Sequence, residues 1–189
     1  MSLIVAFLIG AIPSGFIIGL LSGIDIRKLG SGNIGATNVT RLLGKKAGLF
    51  TLILDILKGI IAIKLFQDFP GSDVYLLGLA AIFGHCFSPF LKFKGGKGVA
   101  TSLGVFLYLA IYQALVVIVV FLITLKISNY ISLSSIFAAI TLPLAIFITN
   151  YNLELFQISL IVSALVIYKH RENIQRLIKG NENKFLKKA

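Results

Sequence analysis

The stretch LIVAFLIGAIPSGFIIGLLS, residues 3–22, contains no charged side chain. It is long enough for one helix to cross the hydrocarbon core of a membrane, which takes about 20 residues. Pro13 lies near its middle and predicts a kink in that helix. No basic segment precedes the stretch and further apolar stretches follow it, so we interpret it as a retained helix and not as a signal peptide.

The composition of the whole chain favours an all-α, polytopic membrane protein. The 189 residues are 57% hydrophobic and only 13% charged, and the mean hydropathy is +0.96. A soluble domain is about one quarter charged. No polar segment is long enough to fold separately, so we expect residues 1–189 to form a single membrane-embedded domain. The one cysteine, Cys86, excludes an internal disulfide bond.

The basic residues predict the orientation in the membrane. The net charge is +11, and all but three of the 18 lysines and arginines lie in short segments between the apolar stretches or in the C-terminal tail. This distribution is typical of cytoplasmic loops and argues against nucleic acid as a partner. We therefore expect the N-terminus outside and the C-terminus in the cytoplasm, with membrane lipids as the surroundings.

The number of crossings is left open by these patterns. A cytoplasmic tail requires an even number of crossings between residues 98 and 168, but three apolar stretches are visible there. Either one of them is re-entrant or one is broken into two pieces, which gives five or seven crossings in all. The apolar stretches after the first are Ala47–Phe66, Val74–Phe90, Val99–Leu125, Ile131–Thr149 and Leu153–Tyr168.

Three basic segments fall on the predicted cytoplasmic side. The first motif is GSGNIGATNVTRLLGKK, Gly30–Lys46; the second is GHCFSPFLKFKGGKG, Gly84–Gly98; the third is KHRENIQRLIKGNENK, Lys169–Lys184. Each combines glycine or small polar residues with lysine or arginine. Such loops turn backbone and side-chain donors towards an anion, and an arginine fork matches phosphate. We expect the three motifs to converge on one site.

The second motif contains KGGKG, residues 94–98, which has the composition of a phosphate loop. It does not match the nucleotide-binding pattern G-x-x-x-x-G-K-[ST], because Leu91 stands at the first glycine position and Gly98 at the last position. A phosphate site and a tight cytoplasmic turn are both consistent with this loop taken alone. Two donor-rich loops at a lipid boundary favour a phosphorylated substrate that meets an acyl chain.

These three motifs resemble those of the bacterial acyl-phosphate:glycerol-3-phosphate acyltransferases, over nearly the whole chain. The resemblance implies a seven-helix fold in the bacterial inner membrane, with the active site at the cytoplasmic face. It also implies acyl transfer from acyl phosphate to glycerol 3-phosphate, giving lysophosphatidic acid and phosphate, with no cofactor. The candidate catalytic residues are then Ser31, His85, Lys97 and His170; the candidate substrate-binding residues are Gly32, Asn33, Thr37, Asn38, Arg41, Lys45, Ser88, Lys94, Gly95, Gly96, Asn173 and Glu182.

The base for this reaction has three candidates. His85 and His170 have a suitable intrinsic pKa, and a phosphate oxygen of a substrate could take the proton instead. We favour the substrate, because neither histidine has an acid nearby in the sequence to orient it. A covalent route through Ser31 or Ser88 is disfavoured for want of a base at recognisable spacing.

Two charged residues lie inside an apolar stretch. Asp55 and Lys58 are three residues apart and share one face of a helix. They either neutralise each other and fix helix packing, or place Lys58 near a phosphate. In the third motif, Glu182 and Asn173 could order the basic tail by hydrogen bonding, with Glu182 holding an arginine.

Other classes of protein fit less well. The scattered acids and histidines predict no metal site. The H-x-x-x-x-D arrangement of acyl-CoA-dependent enzymes is missing, since Phe90 follows His85 by five and Gln175 follows His170 by five. A transporter for phosphorylated metabolites and a lipid-binding scaffold remain as alternatives, although no symmetry between two halves supports a transporter.

Overall fold

The computed structural model describes residues 1–149 and 152–185, and every regular element in that part of the chain is helical. The expected all-α class is confirmed. Short 3₁₀ turns cover Ile26–Lys28 and Pro89–Leu91. The helices are α1 (Ser2–Ala11), α2 (Ser14–Leu21), α3 (Ala36–Leu43), α4 (Lys45–Lys64), α5 (Val74–Cys86), α6 (Val99–Leu109), α7 (Ile111–Ser128), α8 (Ile131–Thr149), α9 (Leu153–Lys169) and α10 (Arg171–Ile178).

The chain divides into two compact units, Met1–Leu109 and Ala110–Ala189. In the first unit, α1 packs against α5 and α4, and α4 also contacts α3 and α6. In the second unit, α8 packs against α7 and α9, and α10 contacts both α8 and α9. That residues 1–189 behave as a single domain stays a prediction.

Among the described residues, three helices are long and apolar enough to cross a membrane, and there are up to five such spans if each bent pair counts as one. The bent pairs are α1 with α2, at 40°, and α9 with α10, at 56°. The first bend lies at Ile12 and Pro13, so the kink predicted from Pro13 is confirmed. Proline causes it because it has no N–H for the helix and its ring clashes with the preceding turn.

Close approach of helices in the first unit depends on glycine. A Cβ built on Gly10 of α1 would overlap the backbone of Ala81 in α5, and one built on Gly104 of α6 would overlap the backbone of Ile56 in α4. Small residues at such contacts are typical of membrane helices, where van der Waals packing replaces the hydrophobic effect as the cause of association. These contacts bring α1, α4 and α5 together around the buried polar groups described below.

The long apolar stretch Val99–Leu125 is broken at Ala110, between the 11 residues of α6 and the 18 of α7. This is one of the two alternatives that the sequence leaves open. Pro143, by contrast, lies inside α8 and does not interrupt it. Because proline has no N–H, the carbonyl of Ala139 one turn earlier loses its helical donor, and the Ser163 hydroxyl of α9 donates to it at 2.7 Å.

The first motif is only partly a loop. Its second half forms α3, although we interpreted Ser31–Arg41 as a loop. The helix is amphipathic, and its buried side adds Val39 to an apolar cluster with Ile26, Ile34 and Leu91. Burial of that side chain favours the helix over an extended loop, because the helix buries Val39 while it keeps Arg41 exposed. The third motif likewise begins with α10, where the sequence suggested only a basic tail.

Candidate functional site

Asn38 holds the loop of the first motif together. Its side chain is buried, and its Oδ1 accepts from the Ser31 N–H at 2.9 Å. Its Nδ2 donates to the carbonyls of Ile26 at 3.0 Å and Leu29 at 3.2 Å. Both amide hydrogens are therefore used within the protein, so the side chain shapes the loop. That Asn38 also contacts a substrate stays a prediction.

The backbone around Ser31 is held in an unusual conformation. Gly30 and Gly32 have φ values of +61° and +69°, a region that favours glycine. A Cβ at Gly30 would also overlap the Oδ1 of Asn38. Asn33 Oδ1 accepts from the Gly35 N–H at 2.8 Å, just before α3 begins. Ser31 and Gly32 are exposed, but the Gly32 N–H donates to the Leu29 carbonyl at 3.0 Å, as the Ser31 N–H does to Asn38.

The cations of the first motif lie on the exposed side of the helices. Arg41 is in the last turn of α3 and Lys45 is the first residue of α4, and both are exposed. Thr37, in the first turn of α3, is half-buried. The structure thus presents three exposed cations, Arg41, Lys45 and Lys46, in the same motif as the exposed Ser31. The binding roles of these residues stay predictions.

The second motif folds back on the end of α5. The Gly96 N–H donates to the carbonyl of His85 at 3.0 Å. A Cβ at Gly96 would overlap Nε2 of the His85 imidazole, and one at Gly95 would overlap the His85 carbonyl. Only glycine lets the loop approach this closely. Lys94 is exposed and Lys97 is half-buried, so the glycine pair lies against His85 between two lysines.

Lys58 is the hub of a buried polar cluster next to this loop. Its Nζ lies 2.7 Å from Asp55 Oδ1, 2.8 Å from His85 Nδ1 and 2.9 Å from the carbonyl oxygen of Ile12. Asp55 is 2% exposed and Lys58 5%, so the two charges are compensated by each other and not by water. The expectation that they form a neutral pair fixing helix packing is confirmed. A contact of Lys58 with phosphate stays a prediction.

His85 is more closely linked to an acid than the sequence indicated. No acid lies near His85 along the chain, but Asp55 Oδ1 lies 3.8 Å from its Nδ1 and both contact Lys58. Helix packing brings these residues together although they are about 30 positions apart. The available signal was that Asp55, Lys58 and His85 are polar residues inside apolar helices, where such groups pair with one another. The substrate as the base stays a prediction.

Ser88 closes the cluster from the loop after α5. Its hydroxyl is fully buried and donates to the carbonyl of Ala11 at 2.6 Å. Ala11 and Ile12 are the last residues before the break at Pro13, and their carbonyls lack the donors of a continuous helix. The Ser88 hydroxyl donates to the Ala11 carbonyl, and the Ile12 carbonyl accepts from the Ser14 N–H at 3.1 Å as well as from Lys58. A substrate contact for Ser88 stays a prediction.

The second unit contains a separate polar cluster around Glu182. Its Oε1 accepts from Asn173 at 2.8 Å and from the Ser132 hydroxyl at 3.1 Å, and its Oε2 accepts from Arg176 Nε at 2.7 Å. The prediction that Glu182 and Asn173 order the tail, with Glu182 holding an arginine, is confirmed. Partial burial raises the pKa of Glu182, but these hydrogen bonds outweigh that and leave the pKa below its ordinary value.

His170 connects α9 and α10. It is 3% exposed, and its Nδ1 lies 2.8 Å from the carbonyl oxygen of Val166. A neutral imidazole whose Nδ1 donates to a carbonyl keeps Nε2 as an acceptor. A catalytic role for His170 stays a prediction. Within residues 1–149 and 152–185, no three His, Cys, Asp or Glu side chains are grouped so that they could hold a metal ion.

A helical protein with apolar spans, two buried polar clusters and basic glycine loops has the features of a membrane protein that binds an anionic substrate. Its sequence matches the glycerol-3-phosphate acyltransferase family model over residues 1–180. It is 47% identical to a glycerol-3-phosphate acyltransferase of Fusobacterium nucleatum, with 97% of this chain and 96% of that protein covered. It is 45% identical to one of Aquifex aeolicus, with 96% of each covered.

Two solved structures are similar as well. Both are crystal structures of PlsY (YgiH), an integral membrane glycerol 3-phosphate acyltransferase. The glycerol 3-phosphate form has a TM-score of 0.92 at 42% identity, covering 98% of this chain and 94% of that one. The lysophosphatidic acid form has a TM-score of 0.89 at 42% identity, covering 97% and 93%. The chain belongs to the glycerol-3-phosphate acyltransferase family.

Proposed function

We propose that this protein transfers a fatty acyl group from acyl phosphate to glycerol 3-phosphate, as a step of phospholipid biosynthesis. The products are lysophosphatidic acid and inorganic phosphate. The main support is family membership over nearly the full length of the chain. The two similar crystal structures are named for glycerol 3-phosphate and lysophosphatidic acid, which are the acceptor and the product of this transfer.

The chemistry needs positioning more than side-chain acid–base catalysis. A glycerol hydroxyl oxygen attacks the acyl carbonyl carbon, the bond from that carbon to the phosphate oxygen breaks, and the hydroxyl proton passes to a phosphate oxygen. Positioning two reactants in this way can lower a barrier by about 7–11 kcal/mol. One donor to the developing oxyanion is worth about 3–4 kcal/mol. The motifs are rich in the required donors and cations.

We assign the substrate phosphates to the basic motifs. Arg41 and Lys45 bind a phosphate with the Ser31 hydroxyl and the side chains of Asn33 and Thr37, while Gly32 and Asn38 keep the binding loop in shape through their bonds to Leu29 and Ile26. Lys94, Gly95, Gly96 and Lys97 bind a phosphate beside His85 and Ser88. The exposure of Arg41, Lys45 and Lys94 and the close approach of the glycine pair to His85 support these assignments. His170, Asn173 and Glu182 are assigned to the same reaction from the third motif.

We propose seven crossings, and the break at Ala110 supports this number because it divides one apolar stretch into two helices. Counting α1 with α2 as one span, and α4, α5, α6, α7, α8 and α9 as one span each, gives seven crossings. Four of these lie between the second motif and the C-terminal tail, the even number that a cytoplasmic tail requires. The N-terminus is then outside, and the three basic motifs face the cytoplasm at the bacterial inner membrane.

Purified protein in detergent tests the reaction. Palmitoyl phosphate and glycerol 3-phosphate should together give lysophosphatidic acid and an equal amount of phosphate. Palmitoyl-CoA should not replace the phosphate donor, because no extended polar segment is available to bind its nucleotide. Comparable product from the thioester would refute the donor, and uptake of glycerol 3-phosphate into vesicles without turnover would favour a transporter.

A further inference from the structure

The buried cluster at Lys58 limits which nitrogen of His85 can carry a hydrogen. A lysine ammonium has three N–H groups and no acceptor. Three atoms lie at hydrogen-bond distance from this one: Asp55 Oδ1, the Ile12 carbonyl oxygen and His85 Nδ1. The first two can only accept. The third N–H of the ammonium therefore points to His85 Nδ1, which accepts it with its ring lone pair.

The distances exclude the arrangement in which a carboxylate orients a histidine base. In that arrangement the carboxylate accepts Nδ1–H, and Nε2 is left bare to take a proton. Here Asp55 Oδ1 is 3.8 Å from His85 Nδ1, beyond hydrogen-bond distance, whereas Lys58 Nζ is at 2.8 Å. Asp55 instead forms an ion pair with the Lys58 ammonium, and that ammonium donates a hydrogen bond to the His85 ring. A neutral imidazole that accepts at Nδ1 carries its hydrogen on Nε2.

Nε2 is the ring atom that faces the second motif. A Cβ at Gly96 would overlap this nitrogen, and the Gly96 N–H is fixed to the His85 carbonyl. The Nε2–H group therefore lies against the glycine pair of the loop. Because the ring is 4% exposed, a hydrogen bond from it to an anion acts in surroundings that contain little water.

We propose that Asp55 and Lys58 are positioning residues that hold His85 in its Nε2–H form, so that His85 donates a hydrogen bond to a substrate phosphate at the second motif. This inference rests on the proposed function for the identity of the anion. The proton released by the glycerol hydroxyl then goes to a phosphate oxygen of the substrate, and His85 binds and orients that phosphate without taking the proton.

The tautomer can be read directly by NMR on the full chain with ¹⁵N-labelled histidine, in detergent and without substrate. His85→Gln identifies the signal, because the chain has only two histidines. We expect the His85 Nδ1 resonance at the position of an unprotonated ring nitrogen and Nε2 at that of a protonated one. The reverse assignment would overturn the proposal. Lys58→Met should shift His85 to mixed tautomers, whereas exposed Lys64→Met should leave it unchanged.

Activity provides a test that does not depend on how Lys58→Met folds. Glutamine can donate a hydrogen bond from roughly the position of Nε2, but it cannot act as a base. We expect His85→Ala to lower kcat/KM by about 10- to 100-fold, and His85→Gln to recover about tenfold of that loss. Equal losses in the two variants would contradict the donor role. A correct tautomer in a protein that forms no lysophosphatidic acid would instead refute the proposed function alone.

Discussion

The two units meet the same problem, a proline in an apolar helix, in different ways. In the first unit Pro13 separates α1 from α2, and the carbonyls before it accept from the Lys58 ammonium and the Ser88 hydroxyl. In the second unit Pro143 leaves α8 continuous, and the freed carbonyl of Ala139 accepts from the Ser163 hydroxyl alone. At Pro143 a neutral hydroxyl is sufficient for the freed carbonyl. At Pro13 one of the donors is the charged Lys58, and this buried ammonium requires a counter-ion, which is Asp55.

The exposure of the two cations differs accordingly. The Asp55 and Glu182 side chains are 3% and 5% exposed, but Lys58 is 6% exposed and Arg176 is 33% exposed. Removing one partner of a fully buried pair leaves an uncompensated charge, whereas removing Glu182 leaves an arginine that water can hydrate. The comparison therefore predicts a graded series of effects on stability, from the first unit to the second.

Lys58→Met should have the largest effect. It leaves Asp55 buried without a counter-ion, although the Ile12 carbonyl keeps its bond from the Ser14 N–H, and we expect the free energy of unfolding to fall by about 3–5 kcal/mol. Thermal unfolding in detergent, followed by circular dichroism, measures this. The matched control is Lys64→Met at the exposed end of the same helix, which should be nearly neutral. If Lys58→Met lost no more stability than Lys64→Met, the buried charge would not be needed at Pro13, and the two proline sites would not differ in the way described.

Ser88→Ala should come second. The hydroxyl is fully buried, so its loss leaves the Ala11 carbonyl without a donor at a cost of about 1–3 kcal/mol. The control is Ser22→Ala, whose hydroxyl makes a similar bond to the Ile18 carbonyl at an exposed position. Equal melting temperatures for the two variants would show that the break at Pro13 does not need this bond.

Ser163→Ala should cost less, about 1 kcal/mol, because interhelical hydrogen bonds between membrane helices are individually modest. The double variant Ser163→Ala with Pro143→Ala should recover most of that loss, since alanine restores the N–H for the Ala139 carbonyl. Melting temperatures of the two single variants and the double variant complete a thermodynamic cycle. Strict additivity would mean that Ser163 does not act through the proline site.

Glu182→Gln should have the smallest effect near neutral pH, below about 1 kcal/mol, because its partner Arg176 is partly exposed. The pKa of Glu182 is lowered in the folded chain, so its contribution is present above the ordinary glutamate value and disappears as the pH falls through the folded value. Unfolding measured between pH 6 and about 3 should lose stability in the native chain. The part of that loss due to residue 182 should be absent from Glu182→Gln.

Several features of the structure could be predicted from single residues or from neighbours in the sequence. Pro13 predicted the kink, apolar composition predicted that the chain is helical, and the charges at Asp55 and Lys58 predicted their pairing three residues apart. The links of Glu182 with Asn173 and an arginine were also predictable, because these residues are close in the sequence. Each of these depends on one residue type or on neighbours along one helix.

Contacts between distant segments were not predictable in the same way. Nothing local indicates that His85 meets Lys58, because that contact depends on how closely α4 and α5 approach. The start of α3 inside the first motif was missed for a related reason, since burial of Val39 against Ile26 and Leu91 outweighs a glycine- and asparagine-rich composition. The break at Ala110 has neither glycine nor proline at that position, so the sequence allowed it without locating it.

The break at Pro13 also constrains the order in which the protein can assemble. The Ser88 hydroxyl that donates to the Ala11 carbonyl comes 77 residues later in the chain, and the Lys58 ammonium that adds a second donor to Ile12 comes 46 residues later. Until the loop after α5 has been synthesised, the Ala11 carbonyl must be hydrated or remain near the membrane surface, because an unsatisfied carbonyl is costly in the hydrocarbon core. We therefore expect the first helix to reach its final depth only after α5 has been made.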